Sequence, residues 1–143
     1  MKKLFEEAMN VAKTYDVSTP RNRLVLYSIS FLPTKLNREN AREFVHQHPQ
    51  FVLMEHTPCG KKLEEMKLSA KGSGLTSQEV AEIWRVASKR LIQNASGSVK
   101  AFVDGADPKS TFRCVELPAL LENPKITTIN GENKYIYARR IKF

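Results

Sequence analysis

Two cysteines in 143 residues, Cys59 and Cys114, are too few for the disulfide framework that holds small secreted domains together, so stability has to come mainly from packing. Long apolar runs are missing as well. The richest, Leu24 to Leu32, falls far short of the roughly 20 residues a membrane helix needs and carries serines. The opening Met1-Lys2-Lys3-Leu4-Phe5 has the basic head of a signal peptide, but Glu6 and Glu7 interrupt the apolar stretch that must follow. These absences predict a soluble protein with no targeting information of its own. Aromatic residues are only 8% of the chain, and no strand interleaves them with basic residues as single-strand nucleic-acid binders do. Glycine-rich phosphate loops, paired C-x-x-C, H-E-x-x-H and G-x-S-x-G are all absent, which removes the enzyme classes built on them.

What is present suffices for one sizeable core: 41% of residues are hydrophobic and 27% charged, in a chain of single-domain length. The expectation is one catalytic domain over 1–143, with 1–75 a mainly helical part holding short strands and 76–143 a helix plus sheet. A net charge of +8 creates a field that attracts polyanions, whether nucleic acid, a dinucleotide's pyrophosphate or an acidic protein. Charge alone does not choose among them.

Leu4, Phe5, Ala8, Ala12 and Tyr15 recur near helical spacing and predict a helix over 3–15, ended by Ser18-Thr19-Pro20. Leu24-Val25-Leu26-Tyr27 suits a strand buried on both faces. Asn37 is expected to cap a helix carrying Ala41, Phe44 and Val45, and Phe51 to Met54 reads as a second strand running into a polar turn, Glu55 to Gly60. The best-specified element begins at Thr76, which with Glu79 forms a capping box stapled by Leu75 and Val80. Val80, Ile83, Trp84, Ala87 and Leu91 then define a helix over 77–95, with Gly97 as its left-handed cap. A strand over Val99 to Val103 stops at Asp104-Gly105, and Ile126–Ile129 and Tyr135–Ala138 read as closing strands around Asn130-Gly131. Lys71-Gly72-Ser73-Gly74 reads as a loop. Alternating helices and strands predict an α/β fold: a helical N-terminal portion plus a small, mainly parallel sheet flanked by helices.

His46 and His48 lie two apart near a helix end and point to different faces, so they read as solvated residues rather than ligands or a catalytic pair. His56 follows a strand end. The remaining chemistry sits at predicted strand ends or on the strong helix: Tyr27, Glu55, Trp84 and Glu116, in the region where α/β sheets commonly bind ligands. Ser110-Thr111-Phe112-Arg113-Cys114-Val115-Glu116 sets an acid among apolar neighbours, where partial burial can tune a carboxylate. Each of these residues also has a bland reading: Trp84 and Tyr27 as core, Glu116 as a surface acid.

At Trp84 and Glu116 the chain resembles the ADP-ribosyl cyclase and NAD glycohydrolase family. Ile83-Trp84-Arg85-Val86-Ala87-Ser88-Lys89-Arg90-Leu91 is similar to its F-W-x-x-x-S-x-R-F helix, and Ser110-Thr111-Phe112 with Val115-Glu116 to its S-T-F-x-x-V-E segment, 32 residues beyond Trp84. Leu53-Met54-Glu55-His56-Thr57 resembles the family's T-L-E-D-T, and Leu26-Tyr27-Ser28 its L-W-S, so that the likeness spans roughly residues 24 to 130. It departs in having Tyr27 for a tryptophan, His56 for an aspartate, and none of the animal enzymes' many disulfides.

The resemblance implies an ADP-ribosyl cyclase-like fold and cleavage of the nicotinamide–ribose bond of NAD, with Glu116 as catalytic carboxylate and Glu55 as a second acid tuning hydrolysis against cyclisation. It implies a substrate site of Trp84, Tyr27, Ser28, Ser88, Ser110, Thr111 and Phe112, with NAD as substrate, no further cofactor and no metal. A disulfide-poor, basic member of this kind looks like a bacterial toxin module. The expectation is a monomer delivered from a larger secreted protein into a target cell's cytoplasm, as in contact-dependent inhibition, and countered by an acidic immunity protein, with no membrane or nucleic-acid partner. The resemblance also places Cys59 and Cys114 near the pocket rim, as ordinary semi-buried thiols or as a pair responsive to oxidation. The rival from another class is a ribonuclease toxin or RNA-binding module using the basic surface and His46, His48 and His56.

Overall fold

The computed structural model describes residues 3–28, 36–103 and 112–141. Asp104-Gly105, where the Val99–Val103 strand was expected to stop, and Ser110 and Thr111 of the expected substrate site lie outside the described residues. Along the chain run α1 (Lys3–Thr14), β1 (Leu24–Tyr27), α2 (Asn37–Gln47), a 3-10 turn (Met54–His56), α3 (Pro58–Glu65), α4 (Ser77–Gln93), β2 (Gly97–Phe102), a π-helical turn (Phe112–Glu116), α5 (Leu117–Glu122), β3 (Ile126–Ile129), β4 (Glu132–Asn133) and α6 (Lys134–Ile141).

The sheet has the order β1-β2-β3-β4; the first three strands are parallel and β4 runs antiparallel beside β3. Leu24 pairs with Val99 and Tyr27 with Phe102, so the two halves of the chain meet in one sheet. Successive residues of β1 feed different cores. Leu24 and Leu26 join the main cluster, which includes Ala8 and Val11 of α1 and Ile83 and Leu91 of α4, whereas Val25 packs with Ala41 and Val45 of α2 and with Leu53. Helices therefore cover both faces, which is why β1 carries an unbroken apolar run. The fold is the α/β arrangement expected, a small and mainly parallel sheet flanked by helices.

The capping box at Thr76 is present in both directions: Glu79 N–H donates to the Thr76 hydroxyl at 3.0 Å and Thr76 N–H to Glu79 Oε1 at 2.8 Å. Other expectations need correction. Phe51–Met54 is not a strand; Val52 makes a single bridge to Leu24 before the chain tightens into the 3-10 turn. The expected polar turn over 55–60 instead starts α3, with the Thr57 hydroxyl accepting from Gly60 N–H and Pro58 in the first turn, both standard helix-start chemistry. Asn37 is not a cap: it is helical, and its amide donates to the Ser28 carbonyl at 2.8 Å, tying α2 to the end of β1. Gly97 keeps a left-handed φ of 79°, but it opens β2, where a β-carbon would strike the Asn22 side chain.

Tyr135–Ala138 is helical rather than extended. Lys134 and Tyr137 are buried, with Ala138 and Ile141 packed against the core, a three- and four-residue rhythm that an alternating reading of Tyr-Ile-Tyr-Ala conceals. Cys59 is buried, its thiol 3.4 Å from the Val11 carbonyl, while Cys114 is exposed, and no disulfide joins them.

Candidate active site

A cleft of about 880 Å³ opens at the C-terminal end of β1. It falls within the size range of small-molecule sites and lies at the end of a parallel strand, where α/β folds commonly place them. Two groups of side chains furnish it.

The first comes from α4 and the π-helical turn. Trp84 and Ser88 are one helical turn apart on α4 and both line the cleft. The chain passes Phe112, fully buried, and turns through the rare π geometry often found at functional sites before α5 begins. That turn ends at Glu116, which is buried at 7% exposure yet lines the same cleft. Burial pushes its carboxyl up to about 7, and the Ser88 hydroxyl, donating to it, pulls in the other direction. A carboxylate in this condition exchanges its proton near neutral pH.

The second group comes from the end of β1, the 3-10 turn and α2. The Tyr27 hydroxyl donates to Glu55 Oε1 at 2.7 Å, and Arg42 donates to Glu55 Oε2 through Nε at 2.9 Å and makes an ion-pair contact with it through Nη2 at 2.8 Å. Burial first, then the Glu55 hydrogen bond and charge, hold the Tyr27 phenol well above the ordinary tyrosine range, so it stays a neutral donor. Ser28 follows, buried, its N–H donating to the Phe102 carbonyl at 3.1 Å.

The structure thus brings Tyr27, Ser28, Glu55, Trp84, Ser88, Phe112 and Glu116 around one space. None of His46, His48 and His56 is among the residues lining it; His48 instead packs its ring 4.6 Å from that of Phe44. Among the described residues no cluster of three or more His, Cys, Asp or Glu is placed to hold a metal. Sequence reasoning missed the basic residues of the site. Arg38 and Lys67 line the cleft and Arg42 grips Glu55. Arg38 and Arg42 stand four apart on α2, a spacing that puts them on one helix face but looks, in a chain of charge +8, like any solvated pair.

No family model matches the sequence, and neither does any curated protein. Solved structures do match, and the fold they share with this chain is that of the ADP-ribosyl cyclases. Porcine CD38 complexed with a covalent intermediate, ribo-F-ribose-5'-phosphate, superposes with a TM-score of 0.60 at 17% identity, over 96% of this chain and 78% of that one. Aplysia cyclase complexed with substrate NGD and product cGDPR gives 0.54 at 14% identity, over 90% and 74%. A mutant ADP-ribosyl cyclase gives 0.53 at 19% identity, over 77% of this chain, which spans only 48% of its length.

Proposed function

We propose that this chain, as one catalytic domain, cleaves the nicotinamide–ribose bond of NAD, by hydrolysis to ADP-ribose or by cyclisation. The observation that carries the reading is Glu116, a buried carboxylate poised to ionise near neutral pH in a cleft it shares with Trp84 and Tyr27. Support comes also from the fold, since Aplysia cyclase was captured with a dinucleotide substrate and its cyclic product.

When the bond breaks, its electron pair leaves with the pyridine nitrogen, nicotinamide departs neutral, and positive charge develops on the ribose as in glycoside hydrolysis. Glu116 under the ribose interacts more strongly with that developing cation than with the ground state, which is what lowers a barrier. Trp84 and Tyr27 stack the cationic ring, worth about 1 to 2 kcal/mol in a desolvated site. Glu55 accepts from the carboxamide with the acceptor capacity left on Oε1. Ser28, Ser110 and Thr111 offer hydroxyls to the pyrophosphate, Ser88 keeps its proton for Glu116, and Phe112 walls the pocket. Water then adds to the ribose and loses a proton, or adenine N1 attacks instead. Because the leaving group is neutral, the reaction as written needs no metal or cofactor.

The test is nicotinamide release from NAD by the purified chain and by Glu116→Gln, with total RNA incubated in parallel. The parent should consume NAD and leave RNA intact, while the variant, folded but without the charge, should lose at least nine-tenths of the activity, on the order of 1.4 kcal/mol or more of transition-state stabilisation. RNA degradation with NAD untouched would instead support the ribonuclease. The same reading makes the chain an NAD-depleting antibacterial toxin domain, acting as a monomer in a target cell's cytoplasm and held in check by an acidic immunity protein suited to its +8 charge. Expression in bacteria should then deplete NAD and arrest growth, and Glu116→Gln should be harmless.

A further inference from the structure

Arg42 lies outside the motifs that carry the family resemblance, yet it grips the carboxylate of Glu55. The backbone under Glu55 is already fixed: Thr57 donates its hydroxyl to the Met54 carbonyl at 2.7 Å and accepts from Gly60 N–H at 3.0 Å, which locks the 3-10 turn onto the start of α3. The carboxylate itself is held from α2. Two guanidinium nitrogens converge on Oε2, and Tyr27 takes one position on Oε1. Each carboxylate oxygen accepts about two hydrogen bonds, so this pattern fills Oε2 and leaves one acceptor position, on Oε1, beside the Tyr27 ring. The root of Arg42 is equally constrained, because Ala41 is fully buried and Asn37 ties the start of α2 to Ser28.

We propose that Arg42 is a positioning residue that acts through Glu55, aiming this remaining acceptor and the Tyr27 ring at a leaving base that bears a hydrogen-bond donor. The kinetic part rests on the NAD reading above; the geometric part does not. An acceptor held this way discriminates against a base carrying a carboxylate where nicotinamide carries an amide, since two anions would then face each other.

The experiment is a double-mutant cycle on the full chain: Arg42→Ala, Glu55→Gln and both together, with Arg42→Lys as the conservative variant. Arg42→Ala should lower kcat/KM for NAD by about tenfold and narrow the preference for NAD over its nicotinic-acid analogue. In the Glu55→Gln background the same change should cost less than about twofold, and lysine should recover part of the loss. In the NMR spectrum, a slowly exchanging Tyr27 hydroxyl proton should be present in the parent and lost in Arg42→Ala although Glu55 remains. Equal losses in both backgrounds, or a Tyr27 signal indifferent to Arg42→Ala, would overturn the proposal. A parent chain that releases no nicotinamide would defeat the proposed reaction instead, and the NMR comparison would then decide the role of Arg42 alone.

Discussion

Glu116 and Glu55 line the same cleft under contrasting conditions. Glu116 is buried beside the neutral Ser88 hydroxyl, and desolvation dominates its behaviour. Glu55 sits at the rim with its side chain 15% exposed, gripped by a guanidinium that is itself 49% exposed. Both are carboxylates, and their surroundings differ in kind. A buried acid whose partner is a neutral hydroxyl costs stability once it ionises, whereas a rim acid gripped by a guanidinium costs little. The electrostatic cost falls on the first and the ion-pair grip on the second.

The sharpest way to break this contrast is to remove the charge of Glu116. Its carboxyl is raised from 4.5 to about 7 in the folded chain. Below 4.5 both folded and unfolded states are protonated; between 4.5 and about 7 the unfolded chain has lost a proton that the folded chain keeps, so stability falls as pH rises through that window and is flat above it. Glu116→Gln removes this dependence. The variant should match the parent near pH 4 and exceed it at pH 8 by on the order of 3 kcal/mol, read as a higher urea midpoint, while losing activity. Equal stabilities at pH 8 would mean that Glu116 is not the strained acid described here.

Next in size is Gly60→Ala, which perturbs Glu55 and spares Glu116. A β-carbon at Gly60 would overlap the Met54 carbonyl and come within 2.9 Å of Glu55 Cα, both backbone, so the 3-10 turn must move. Overpacking of this kind costs about 1–3 kcal/mol, and kcat/KM should fall with it because Glu55 is displaced. The pH midpoint of activity should stay where the parent has it. A shifted midpoint would show that the two acids are not independent.

Much of this frame could be read from the chain before folding, and what escaped did so for physical reasons. Thr76 and Glu79 make α4 unmistakable because capping is local chemistry, and the doubly apolar β1 announces a strand covered on both sides. Short elements were harder. Val52 forms one bridge because the chain must turn at once to seat Glu55, and Thr57-Pro58 carried a helix-start signal obscured by the polar residues around it. In the site, Tyr27, Trp84 and Glu116 were legible from strand ends, the strong helix and a motif, and apolar neighbours pointed to partial burial of Glu116, but nothing in the sequence named Ser88 as its partner. Arg42 was invisible because its role depends on Glu55, 13 positions away, and on the angle at which α2 crosses the end of β1.

A finer probe of the buried acid is Ser88→Ala. It removes the donor that favours ionised Glu116, so the rise of kcat/KM with pH, which should centre near 7 in the parent, moves upward by up to about one unit. The profile of kcat should lie at lower pH than that of kcat/KM, because the bound pyridinium's positive charge favours the carboxylate in the complex. Profiles that coincide would place the cationic ring away from Glu116.

The smallest effect is expected where the electrostatics look most favourable on paper. Glu55→Gln breaks a guanidinium–carboxylate contact at 2.8 Å, yet half of Arg42 faces water, which screens the pair and solvates the released cation. Its stability cost should be below about 1 kcal/mol and smaller still in high salt, both measurable by urea unfolding. Glutamine also keeps an acceptor oxygen for Tyr27, so the loss should show mainly in kcat/KM, where aiming matters. A cost of 3 kcal/mol or more would be the signature of a buried pair losing one partner, and would make Glu55 a second structural keystone rather than the aimed acid set against Glu116.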